Sequence, residues 1–202
     1  CHFDQEVCGQ SWTSYPIFHM DGFDLDNLER RPHVIGSLFP PGHILHDYLE
    51  ARILPRLVGP VGPGNLQYTA MWKTAQRLTK KPVKFGTITP EILANTVHDE
   101  YYKDIRELIM ALSDATNAEL NELADAGCPV IQLEEPQIHM AAVREDGGGA
   151  TPPEFLVEVF NNTVKGLRGK AEVWAHTCWG NPAQQRMYQT VQSYAPGIDY
   201  FN

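Results

Sequence analysis

From about residue 67 onward, apolar and polar positions fall into alternating helical and strand-like periods. Before that the pattern is weaker. Residues 1–42 show no sustained period and carry turn signals at Met20-Asp21-Gly22 and Pro40-Pro41-Gly42. A helix is predicted over residues 43–57, with Ile44, Leu45, Tyr48, Leu49, Ile53 and Leu57 on one face and Pro55 kinking or ending it. Residues 59–64, GPVGPG, read as a loop. A second helix is predicted over 67–80, then a strand in which Val83, Phe85 and Thr87 alternate between Pro82 and Pro90. From Pro90 a long helical stretch is predicted, with Asp99 as a cap and Gly127 as the stop. CPVIQLEEP (128–136) reads as a short buried strand ended by Pro136. Residues 151–169 read as a helix capped by Thr151 and ended by Gly169. AEVWAHTC (171–178) reads as a strand, 181–197 as a helix, and IDYF (198–201) as the start of another strand.

Strands alternating with helices imply parallel strands joined by right-handed crossovers, the α/β class. Short buried strands between long helices fit a (β/α)8 TIM barrel. A complete barrel takes roughly 250 residues. With only about four strands legible, residues 1–202 are expected to be a single barrel domain that is incomplete at both ends. No fixed internal repeat is present. The chain begins with Cys1 rather than Met, as expected of a processed product or of a piece of something longer.

Composition narrows the classes. The chain is 43% hydrophobic and 20% charged, as globular domains are. A net charge of −9 opposes a nucleic-acid partner, which needs a basic face. No apolar run approaches the roughly 20 residues that span a bilayer, and no secretory leader is visible at the start. Four irregularly spaced cysteines, Cys1, Cys8, Cys128 and Cys178, are too few for a disulfide scaffold. Free thiols in the cytoplasm are expected, although Cys1 and Cys8 are close enough to pair if oxidised.

Candidate chemistry lies at strand ends. In AHTC, His176 and Cys178 share a face, because alternate strand residues do. In a barrel the C-terminal strand ends face the active site. An imidazole and a thiolate form a zinc-type ligand pair, but two ligands do not complete a site. The competing reading makes His176 a hydrogen-bonded pocket residue and Cys178 a packed core thiol. In VIQLEEP, Gln132 and Glu134 share a face of an otherwise apolar strand. A buried carboxylate costs several kcal/mol unless it is paired. The alternative is that Glu134 and Glu135 extend into solvent beyond the sheet. His139 follows this strand and is placed to line the pocket mouth. His43 and His46, at i,i+3 spacing, read as a surface pair, and His19 and His98 are lesser candidates.

LQYTAMWKTAQRLTKKPVKFGTITPEIL, AELNELADAGCPVIQLEEP and HTCWGN occur in this order along the chain. Together they resemble the catalytic barrel of the cobalamin-independent methionine synthase family, whose motifs read K-P-V-K, G-x-x-x-I-Q-I-D-E-P and H-x-C. The resemblance covers roughly residues 60–202, and more loosely 10–60. It implies a zinc-dependent methyltransferase of methionine biosynthesis, with His176 and Cys178 as metal ligands and the remaining ligands beyond Asn202. It also implies that Glu134 binds the amino-acid substrate or moves its proton. Gln132, Glu134 and His139 form the expected substrate-binding set. The expected partners are a small-molecule thiol and an alkyl donor, possible as a folate; a homo-oligomer is also open to such a chain. Asp99-Glu100-Tyr101-Tyr102 resembles a family segment and is expected to start a helix. Three departures are visible. The family's D-E-P is Glu134-Glu135-Pro136, its G-P turn is Thr89-Pro90, and Trp179-Gly180-Asn181 follow the H-x-C.

These departures keep other readings open. One is a thiol alkyltransferase or lyase of the same superfamily acting on a thiol such as coenzyme M. Another is a metal-free, decarboxylase-like relative. A third is a non-catalytic partial barrel that pairs with another chain to cover its sheet edge.

Overall fold

The computed structural model describes residues 15–30, 53–143, 146, 149–177 and 195–201. They group into two compact units. The first takes residues up to 66 together with 90–115, and the second takes 67–89 and 116 onward.

In the first unit, helix α1 (Tyr15–His19) leads into strand β1 (Asp21–Arg30), which pairs antiparallel with β2 (Ile53–Gly62). Helix α3 (Pro90–Ala94) and the two-residue strand β4 (His98–Asp99) follow in the same unit, and β4 lies parallel to β2. The sheet order is β1-β2-β4. This unit corrects several sequence expectations. Residues 53–57 are strand rather than helix. Pro55 is incompatible with a helix interior, and Val58 and Val61 are β-branched. The strand continues to Gly62, through most of the predicted loop. Neither Pro55 nor Pro60 is among the register partners of β1, so neither needs to donate to that ladder. The register is irregular between Asp21 and Phe23, around Gly22 within β1. Gly22 has φ +96°, and a Cβ there would stand 2.7 Å from the carbonyl oxygens of both Gly59 and Pro60. Strand β1 and α1 lie in the stretch read as irregular, because the slipped register of β1 breaks the two-residue period and α1 is only five residues long. Residues 43–52, with His43 and His46, lie outside the described residues, as do Cys1 and Cys8.

The stretch after Pro90 is not one helix. It breaks at β4 and resumes as α4 (Ile105–Asp125), whose first half belongs to the first unit and second half to the second. Asp99 does not cap that helix. Its carboxylate accepts the amides of Tyr101, Tyr102 and Lys103 in the preceding turn, while Asp104 accepts those of Arg106 and Glu107. Both are short acidic side chains suited to capping, and the second lies one residue before the first helical turn. At the other end, Gly127 has φ +98° and its amide bonds to Ala124 O, while the Cys128 amide bonds to Leu123 O. This is a Schellman closure, as expected of that glycine.

The second unit holds α2 (Tyr68–Arg77), β3 (Phe85–Ile88), β5 (Val130–Glu134), α5 (Gln137–Val143), α6 (Pro153–Thr163) and β6 (Glu172–His176). The helix predicted over 151–169 is shorter at both ends. Pro152 is its N-cap, and Thr163 folds its hydroxyl back onto Val159 O in the last turn. The three strands form a wholly parallel sheet in the order β3-β5-β6. Ile131 and Leu133 are fully buried on one face of β5. Trp72 ties α2 to the approach of β3 through Nε1 and Val83 O, 2.8 Å, and the Tyr68 hydroxyl meets Thr87 Oγ1 at 2.9 Å. Residues 198–201, expected to start a strand, instead end α7 (Ala195–Ile198) and form a 3-10 turn (Asp199–Phe201). The fold is therefore mixed α/β with a parallel βα core, as expected. The antiparallel β1–β2 pair was not expected, and the described residues do not close a barrel. None of their helices is long and apolar enough to cross a membrane.

Candidate active site

Parallel register sets three strands side by side so that Gly86, Gln132 and Trp174 lie in one row and Ile88, Glu134 and His176 in the next. Alternation puts Gln132 and Glu134 on the same face, opposite Ile131 and Leu133. On that face the Glu134 carboxylate, only 5% exposed, meets Nδ1 of His176 through Oε2. Its other oxygen accepts Gln132 Nε2 at 2.6 Å. Gln132 Oε1 in turn accepts Lys84 Nζ at 2.5 Å. The ammonium also stands over the Trp174 ring, 4.9 Å from its centre.

The main chain around Glu134 is pinned as well. Its carbonyl accepts the buried Thr89 hydroxyl at 2.9 Å. The next amide, from Glu135, donates to His176 O at 2.8 Å. Glu135 is fully buried and turns to the start of α5, where Oε1 accepts the amides of Gln137 and Ile138, both at 2.9 Å. The reading that sends both glutamates into solvent therefore fails. Glu134 bonds to Gln132 and His176, and Glu135 caps the start of α5.

Of the residues proposed from sequence, the structure brings together Gln132, Glu134 and His176. It does not bring His139 to them. His139 is buried in α5 and lines a cavity of about 780 Å³ with Phe160, Tyr200 and the opposite-parity residues of β6, Val173, Ala175 and Thr177. Burial holds its imidazole below the ordinary value, favouring the neutral ring. Cys178 lies outside the described residues. Cys128 is a buried core thiol whose Sγ donates to Val130 O, and burial pushes its pKa up, away from thiolate chemistry. Within the first unit, His19 stacks on Tyr15 and His98 pairs with Glu100 at 3.2 Å. The sequence reading missed Lys84 and Trp174. Lys84 closes the KPVK stretch and lies two residues before Gly86, and Trp174 lies two before His176, so motif and parity were the signals that could have found them.

Among the described residues no three His, Cys, Asp or Glu side chains gather as a metal-binding group. The donor chemistry of His176 nevertheless fits one ligand of a metal. Its Nδ1 is held by a carboxylate, its side chain is about half exposed, and Nε2 is the nitrogen left to face a metal. That is how a ligating histidine is set by its outer-sphere carboxylate.

Comparison with known proteins places the chain in a family. The sequence model of the family described as "Cobalamin-independent synthase, Catalytic domain" matches residues 41–191. A methionine synthase of Saccharolobus islandicus (strain L.S.2.15 / Lassen #1) is 37% identical over 95 residues, 46% of this chain and 26% of the relative. Those of Saccharolobus solfataricus and Sulfurisphaera tokodaii are each 34% identical, over 47% and 46% of this chain and 26% and 25% of their own lengths. The matched stretch thus spans about a quarter of these curated relatives. A solved B12-independent methionine synthase from Shewanella sp. W3-18-1, in complex with selenomethionine, superposes with a TM-score of 0.68 at 22% identity. The match covers 94% of this chain and 53% of that one, and shows a shared fold. With three strands delivering the polar row and the family model spanning all of them, the chain belongs to the cobalamin-independent synthase catalytic-domain family.

Proposed function

We propose that this chain takes part in methyl transfer to a thiol of the homocysteine type, from a methyl donor such as a folate, at a zinc site that includes His176 and Cys178. The observation that carries the reading is the Glu134–His176 contact between β5 and β6, inside the segment matched by the family. When bound, zinc holds a substrate thiol as thiolate near neutral pH. The chain's own groups do the rest. Glu134 fixes the ring of His176 through Nδ1. A carboxylate has about four lone-pair directions, so Glu134 can also accept the ammonium of an amino-acid substrate beside its present partners. Gln132 holds that carboxylate from the other side. In the transfer the S–C bond forms as the bond from methyl to donor breaks, and the donor leaves with the electron pair.

The test is metal content and turnover of the purified chain. About one zinc per chain, lost in His176→Ala, with methyl transfer from methyltetrahydrofolate to homocysteine, is the expected result. Full zinc content in His176→Ala, or zinc loading without any thiol methylation, would refute the assignment.

A further inference from the structure

We propose that Lys84 is a positioning residue for His176, acting through Gln132 and Glu134. The inference rests on His176 being the working imidazole of the proposed site. It gives a role to a residue at the approach to a third strand, 48 positions before Gln132, that closes the KPVK stretch and that the sequence reading left without a function.

The argument is one of donor and acceptor polarity. An ammonium has three donors and no acceptor. It can therefore meet only the carbonyl end of the Gln132 amide, and at 2.5 Å it does. That choice fixes the amide's orientation and turns Nε2, a donor, toward Glu134 Oε1 at 2.6 Å. Were the amide reversed, its carbonyl would face a carboxylate, two acceptors with no proton between them. With Oε1 engaged, Glu134 presents Oε2 to His176 Nδ1. A carboxylate accepts, so the Nδ1 that faces it carries a proton and Nε2 is the nitrogen turned away from Glu134. Each link has one polarity, and Lys84 sets the first. Two further features hold Lys84 in place. Trp174 is the register partner of Gln132, and its ring lies beneath the ammonium. Gly86, the other register partner of Gln132, brings no side chain to stand between them; a Cβ there would meet nothing nearer than Gln132 O at 4.0 Å.

The test uses the 202-residue chain with Lys84→Met, Lys84→Arg, Gln132→Leu and the Lys84→Met/Gln132→Leu double variant. Side-chain ¹⁵N shifts of His176, recorded without metal, report which ring nitrogen carries the proton. The wild type should show the Nδ1–H form. Lys84→Met should move a measurable share to Nε2–H, and Lys84→Arg should restore most of the wild-type pattern. The double variant should shift no further than Gln132→Leu alone, because the two act in series. Zinc affinity by chelator competition should fall several-fold in Lys84→Met, below the roughly 10–100-fold expected for loss of a direct outer-sphere partner. An unchanged His176 spectrum in Lys84→Met would overturn the proposal, and so would additive effects in the double variant. Absence of zinc binding in every protein, with the His176 spectrum still answering to Lys84, would sink the metal reading and leave the relay standing.

Discussion

Replacing Glu135 by Ala removes the acceptor that closes the start of α5. Its carboxylate is fully buried, and Oε1 takes two backbone amides, Gln137 N and Ile138 N, at 2.9 Å each. Losing a helix cap costs about 1 kcal/mol, and a buried amide left without an acceptor about 1–3. The Ile138 amide is buried, so the two effects together come to about 2–4 kcal/mol. For a chain of this size each kcal/mol moves the melting midpoint by about 2–4 °C, giving a fall of roughly 4–16 °C. Glu135→Gln keeps one carbonyl oxygen for the same amides and should lose less than half as much. Circular dichroism melts of the three proteins decide it. If Glu135→Ala melts within about a degree of wild type, the capping argument is wrong. If Glu135→Gln is as damaged as Ala, the charge rather than the acceptor was the stabilising feature. The neighbouring Glu134→Ala is the contrast. It should cost the His176 alignment and zinc affinity more than it costs stability, because its carboxylate bonds to side chains rather than to the main chain.

Cys178→Ser should lower zinc content below that of wild type, measured by atomic emission on protein purified without chelator; retained stoichiometric zinc would remove Cys178 from the ligand set. Leu133→Ala, at a fully buried position of the central strand β5, should destabilise by about 2–5 kcal/mol in urea titration, and a loss under about 1 would mean the core beneath the site is loosely packed. Burial depresses the folded-state pKa of His139 below 6.5, so the unfolded chain takes up the proton first as pH falls. Stability from that group is therefore complete above about pH 6.5 and is lost as pH drops below it; His19 has the same sign. The melting midpoint should fall from about pH 7.5 to 5.5, and less steeply in His139→Leu, whereas an unchanged slope in that variant would refute the role of His139.

The legible parts of the fold were those with a strong local period. VIQLEE shows its inward pair, Ile131 and Leu133, and its odd polar residues, Gln132 and Glu134, in four consecutive positions, and the structure keeps that parity. Gly127 marked its helix end because a left-handed closure needs a residue without Cβ. The β1–β2 hairpin was not legible. Its register slips between Asp21 and Phe23 and again between Asp24 and Glu29, so no two-residue period survives long enough to be read. The segment 198–201 misled for the opposite reason: Ile, Tyr and Phe suit a strand, but Pro196 and Gly197 sit in the short helix that the chain makes instead.

The candidate site was legible as residues and not as a site. His176 and Glu134 each stood out alone, 42 positions apart, and nothing in either stretch states that they touch. Contact arises from register, and a parallel sheet sets register by packing its buried face, not by a local turn. Once Ile131 and Val173 are level, Gln132 must lie level with Trp174, and Glu134 with His176. The same constraint draws Gly86 level with Gln132 and brings Lys84, two residues earlier on the same parity, within reach of its amide. A one-residue slip of β6 would carry His176 to the face of Val173 and Ala175 and break the contact with Glu134. Core substitutions that change register, such as a bulky replacement of the fully buried Ile131, should therefore abolish the Nδ1-protonated form of His176 without altering any residue of the polar row. The ¹⁵N spectrum of Ile131→Trp reads this directly, and an undisturbed His176 signal there would mean that the site is held by its polar contacts and not by the sheet.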